Sequence, residues 1–168
     1  KTLPALTGGA YLHLSSEIYN ELNDYIETAL SLFGTTSPSY LILSSLDNVN
    51  EYLDNGYDKK LKEFTSKLNL LKKDLKSAGY TLVGNEPLKI TIDAKAYGYT
   101  GNEIVEILKN NDIFVEFYDL DYVVLMFTTE ILDSEIEKFK AVLLSIKKHK
   151  EIEKTNFSFS KNERVLSL

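Results

Sequence analysis

The chain has no cysteine, which excludes disulfides and thiolate chemistry and fits a reducing cytoplasm. Its two histidines, His13 and His149, lie too far apart in sequence to suggest a metal site, so structural or exposed roles are expected of both. No apolar run approaches the roughly 18–20 residues needed to cross a bilayer, and the start of the chain lacks the charged-then-apolar layout of a signal peptide. A cytoplasmic location without membrane contact is expected. Basic residues are outnumbered 19 to 25, giving a net charge of -6, so the electrostatic footprint of a nucleic-acid binder is missing and a cationic amine would be the more congenial ligand. The sequence contains no His-Glu-x-x-His, no Gly-x-Ser-x-Gly, no phosphate loop ending in Gly-Lys-Thr, no internal repeat and no low-complexity segment. What remains is a 168-residue chain, 43% hydrophobic, long enough for one compact soluble domain or for two small lobes sharing a long helix.

The apolar spacing divides the chain into elements. Ala10 to Leu14 alternates as a strand would, and Ile18, Leu22, Ile26, Leu30 and Phe33 then recur at helical intervals up to Gly34, the expected C′ residue. Ser37 followed by Pro38 signals a helix start, with Ser37 as the cap; the helix is expected to end at Asn55-Gly56. Tyr57, Leu61, Phe64, Leu68, Leu71, Leu75 and Ala78 follow at four-three spacing up to Gly79, one amphipathic helix of about six turns. A coiled coil with a partner chain would share that spacing. Aromatic residues at two seam positions favour a long linking helix packed on its own body.

Beyond Gly79 the pattern is mixed. Tyr80 to Val83 and Leu88 to Asp93 read as strands, and Thr100 with Glu103 forms a capping box ahead of Ile104, Val105, Ile107 and Leu108. Ile113 to Tyr118 and Tyr122 to Phe127 read as two more strands around Asp119-Leu120-Asp121. Ser134 with Glu137 forms a second capping box, followed by Ile136, Phe139, Leu143 and Ile146 on one helix face. The result is a small α+β lobe with helices on one face of an antiparallel sheet. Glu116, Asp119 and Asp121 are read as solvated carboxylates at a strand turn rather than a metal or amine site, and Tyr97, Tyr99 and Tyr122 as packing residues. Phe157 and Phe159 suit an edge strand.

Two stretches carry chemistry. Lys1-Thr2-Leu3-Pro4-Ala5-Leu6-Thr7 resembles the last seven positions of the Ser-x-His-Lys-Thr-Leu-Pro-x-Leu-Thr run of the ornithine/lysine/arginine decarboxylases, enzymes that use pyridoxal 5'-phosphate (PLP). The Ser and His of that run are missing. Thr35-Thr36-Ser37-Pro38-Ser39-Tyr40, followed by Leu41 to Leu43, Ser44 and Ser45-Leu46-Asp47, is similar to the Thr-Ser-Pro-x-Tyr segment of the same family. On its own this second stretch is a capped helix start suited to a phosphate. Leu88 to Ile92, Gly98 to Gly101 and Asp121 to Phe127 also look similar to that family's C-terminal lobe, so the resemblance runs over roughly residues 1–130.

The resemblance implies that Lys1 forms the Schiff base with PLP and that Thr35 or Thr36, with Ser37 as cap, reaches the cofactor phosphate of a neighbouring subunit in a homodimer or higher oligomer. It implies an α/β architecture of the aminotransferase-like type: residues 1–56 end the large PLP domain, 57–79 link, and 80–168 form the small C-terminal lobe. A motif lysine at position 1, where translation places Met, implies a fragment of a longer enzyme. The parent is expected to be a decarboxylase of a basic amino acid, lysine, arginine or ornithine, and the fragment to be inactive alone, since the acidic partner of the ring nitrogen lies upstream in the family. A transaminase, an oxidative decarboxylase, or a non-catalytic folding or dimerisation piece are the alternatives.

Overall fold

The computed structural model describes residues 3–154. The expectations for Lys1 and for an edge strand at Phe157 and Phe159 lie outside the described residues. The protein is a mixed α/β structure with six helices and four strands among those residues. It divides into two compact units that meet in sequence at Glu63 and Phe64.

In the first unit, helix α1 (Ser16–Phe33) opens on Ser15, whose hydroxyl accepts from Ile18 N at 3.3 Å. Gly34 closes it, yet in an extended conformation (φ -78°, ψ 160°) rather than the left-handed one expected of a C′ glycine. Helix α2 (Tyr40–Asp54) does end as read, on Asn55 and a left-handed Gly56 at φ +85°. Its start is corrected by two residues. The cap position is Ser39, not Ser37, and Ser39 makes no side-chain capping bond. Thr35 Oγ1 instead accepts from Ser37 N at 3.2 Å, a local turn that competes with a helix start at that point. Ala10 to Leu14 forms no strand, because no neighbouring ladder lies beside it in the described residues.

Helix α3 (Tyr57–Ser77) runs through the division between the units. From Phe64 onward its apolar stripe is consumed by the second unit: Phe64, Leu68, Leu71 and Leu75 join the central hydrophobic cluster, so the stripe is a globular contact. Opposite them lies an antiparallel sheet in the order β1 (Thr81–Val83), β2 (Lys89–Asp93), β4 (Tyr122–Met126), β3 (Phe117–Tyr118). Ile90 pairs with Leu125 and Ile92 with Val123, and alternation puts all four on the buried face. The expected strand from Ile113 narrows to Phe117–Tyr118. A single turn, α4 (Ala94–Tyr97), and a nine-residue helix, α5 (Gly101–Lys109), follow β2, and α6 (Asp133–Ser145) follows β4.

The capping box of α5 is as read: Thr100 Oγ1 accepts from Glu103 N, and the Glu103 carboxylate accepts from Thr100 N at 2.7 Å, which holds that carboxyl below its usual range. The start of α6 is corrected. Glu135, not Glu137, reaches back, accepting from Leu132 N at 3.2 Å, and Asp133 is anchored by Lys67 at 2.7 Å, which fixes the first turn one residue before Ser134. Ile104, Val105 and Leu108 of α5 and Ile136, Phe139 and Leu143 of α6 complete the core. Full burial of each aliphatic side chain contributes about 1.5–3 kcal/mol, so the second unit has a core able to specify one packing.

Candidate functional site

The two stretches that carry the resemblance are brought together within the first unit. Leu6 N donates to Ser45 Oγ of α2 at 3.0 Å, and Tyr11 donates from its hydroxyl to Leu46 O at 3.0 Å. Asn50 Nδ2 donates to the same Tyr11 hydroxyl at 3.4 Å. Gly9 allows this approach: a β-carbon there would stand 2.7 Å from Leu46 Cδ1 and 2.9 Å from Ile42 Cγ2. The segment that follows Lys1 is therefore laid along the helix that follows Thr35-Thr36-Ser37. Lys1 itself lies outside the described residues.

Thr35, Thr36 and Ser37 are exposed in the loop between α1 and α2. The first helical bond of α2 runs from Leu43 N to Ser39 O at 3.0 Å, which leaves the amides of Tyr40, Leu41 and Ile42 at an end without a side-chain cap. Hydroxyls and uncapped amides make a donor set that suits a phosphate. The setting is acidic otherwise: eight carboxylates and no lysine or arginine fall between Lys1 and Lys59.

A second arrangement, in the C-terminal unit, was not legible in the sequence. Asp93 closes β2, accepts from Ala96 N at 3.1 Å to cap α4, and pairs with Lys154, which also donates to the Tyr122 hydroxyl at 3.1 Å. These hydrogen bonds, Asp93 first, hold the Lys154 ammonium well above its usual range. Two residues on from Asp93, the buried Lys95 pairs with Asp121 at 2.6 Å. The charges alternate and balance, as buried ions must if they are to stay ionised.

Asp121 is thus an ion-pair partner rather than a solvated carboxylate, which corrects that reading. Asp119 behaves as a turn residue, its Oδ1 accepting from Asp121 N and Tyr122 N. Among the described residues no cluster of His, Asp and Glu could hold a metal. Tyr97 and Tyr99 pack as expected, and His149 stacks on Tyr99 with ring centroids 4.7 Å apart. The only sequence signal for the network was a carboxylate and an ammonium, Asp93 and Lys95, at the end of an apolar strand.

No family model matches the chain. It is 33% identical over 159 residues to the uncharacterized protein YaaO of Bacillus subtilis (strain 168), covering 82% of this chain and 32% of that protein. It is 28% identical over 156 residues to an arginine decarboxylase of the same organism, covering 84% of this chain and 31% of that enzyme. The chain thus spans about a third of the length of the curated relatives it matches. Among the described residues no helix is long and apolar enough to cross a membrane.

Proposed function

We propose that this chain is the C-terminal part of a PLP-dependent decarboxylase of a basic amino acid. The observation that carries the reading is the hydrogen bond from Leu6 N to Ser45 Oγ, which joins the Lys1-to-Thr7 run to the Thr35-to-Asp47 run, two stretches distant in sequence that both resemble the cofactor-holding runs of such enzymes. Similarity to an arginine decarboxylase over 84% of the chain supports it.

In this reading residues 1–56 belong to the large cofactor domain, 57–79 link, and the remainder forms the small lobe. Lys1 holds the cofactor by its side-chain amine. Thr35, Thr36 and Ser37 supply hydroxyls to a phosphate beside the uncapped start of α2, reaching across the twofold axis of a homodimer. When bound, PLP supplies a ring that takes up the charge left as a carboxylate departs as CO2. The acidic, lysine-poor surface between Lys1 and Lys59 favours an amino acid with a cationic side chain over an anionic one.

The test uses a polypeptide extended to the length of the relatives. With PLP and borohydride, peptide mapping is expected to find the reduced label concentrated on Lys1, and the enzyme to release CO2 from arginine, lysine or ornithine. Labelling spread evenly over the other lysines, or formation of a keto acid or uptake of oxygen in place of simple CO2 release, would overturn the proposal.

A further inference from the structure

Helix α3 carries Asn69, Lys72, Lys73 and Lys76, spaced so that they share one flank of the helix. The connection from β1 to β2 brings Gly84 and Asn85 opposite them, and together these residues line an open groove of about 630 Å³ with no carboxylate in its wall. Lys72 is fastened in place: its ammonium donates to Glu86 O at 2.7 Å and Pro87 O at 3.2 Å. Lys73 and Lys76 form no ion pair among the described residues, since Asp74, the carboxylate between them, is turned away to Lys140 at 2.7 Å. Gly84, at φ +77°, has open space where a side chain would stand.

Three ammoniums at these spacings repel one another. The helix dipole favours cations near a C-terminus, which accounts for positive charge in the last turns. It does not account for a concave wall that gathers the three ammoniums with two amide side chains, the nearby Glu86 carboxylate facing Lys72 from outside the lining, on a chain whose net charge is -6. The ammoniums span about one helical turn, roughly 6 Å along the axis, more than one carboxylate covers.

We propose that this groove binds an oligophosphate, a ligand with two or more linked phosphates. Its oxygens accept from Lys73 and Lys76, the fastened Lys72 adds a third charge, and Asn69 and Asn85 supply neutral donors. The site is separate from Thr35 to Ser37 and stands or falls independently of the decarboxylase reading.

Inorganic tripolyphosphate is the probe, titrated calorimetrically into the 168-residue chain at about 0.15 M salt, where surface charges more than ~8 Å apart are screened. One equivalent is expected to bind, with inorganic phosphate at least about tenfold weaker. Replacing Lys73 and Lys76 together by Gln, or Asn85→Asp alone, is expected to weaken binding about tenfold or more, and Lys150→Gln to leave it unchanged. All are exposed positions, and circular dichroism is the check that each variant keeps its fold. Binding that survives the paired Gln variant, binding that Lys150→Gln weakens equally, or no binding at millimolar probe would overturn the proposal.

Discussion

Tyr80 and Tyr97 stack with ring centroids 3.8 Å apart and planes 11° from parallel, and both hydroxyls donate to the end of α6, Tyr80 to Leu143 O at 2.7 Å and Tyr97 to Ile146 O at 3.1 Å. The pair ties the end of α3, the turn after β2 and the last helix into one joint. Burial, with Tyr97 adding to it, pushes the Tyr80 phenol far above its ordinary value. A phenol that keeps its proton in the folded state while the unfolded chain loses it contributes stability that is complete below pH about 10 and declines above it. Tyr80→Phe is expected to cost about 1 kcal/mol at neutral pH, by urea unfolding. Its deficit relative to the parent should shrink above pH 10; a deficit constant to pH 11 would show that Tyr80 does not titrate with folding.

Gly101 lies close against the Asp119-to-Tyr122 turn, its amide donating to Leu120 O at 3.1 Å. A β-carbon there would stand 2.1 Å from Asp119 O and 2.8 Å from Tyr122 O, both backbone atoms that cannot swing aside. Gly101→Ala is therefore expected to destabilise the C-terminal unit by about 2 kcal/mol or more, although alanine is the better helix former. An unchanged urea midpoint would mean that the turn relaxes freely.

Lys154 and Asp93 lie 61 residues apart and form a partly buried pair. Lys154→Met strands a buried carboxylate and is expected to cost about 1–3 kcal/mol, discounted for the partial exposure of the lysine. Asp93→Asn in the same background should recover part of that loss. A double-mutant cycle with a coupling below about 0.3 kcal/mol would leave the pair without energetic weight.

Stability is unevenly distributed. No residue of α1 is buried, and in the first unit only Val49 and Tyr57 are buried among the described residues. Of the stripe read from the sequence, Ile18, Leu22, Leu30 and Phe33 are 40–84% exposed and Ile26 is half-buried. Amides of α1 are expected to exchange with deuterium many-fold faster than those of β2, β4 and α5. Equal protection in both units would contradict this.

The second unit was legible because its signals are local or periodic. Phe64, Leu68, Leu71 and Leu75 announce a helix face, Thr100 and Glu103 announce a cap, and Ile90 and Ile92 announce a buried strand face. Misreadings arose where two local signals competed. Ser37 yielded to Ser39 because Thr35 captured the Ser37 amide, and the Ser134 box yielded to Glu135 with Asp133 held by Lys67. Ala10 to Leu14 alternates correctly but has no ladder to join, since strand formation is decided by a partner and not by the segment. Of the candidate site, pattern announced the helix that follows Thr35 to Ser37, while the role given to those hydroxyls came from the resemblance alone. The contact from Leu6 to Ser45 spans 39 residues, and the Asp93 pair spans 61, separations that no local signal encodes.

After α6 the chain returns along α4, fastened by His149 N to Tyr97 O at 3.1 Å, by Ile152 N to Lys95 O at 3.0 Å, and by Lys154 to Asp93. These fastenings follow one another along the returning segment. Tension applied from its far end reaches them in succession, Lys154 first and His149 last, as a zip opens rather than as a rivet shears. The strip should therefore peel under modest force while the sheet beneath it holds its register.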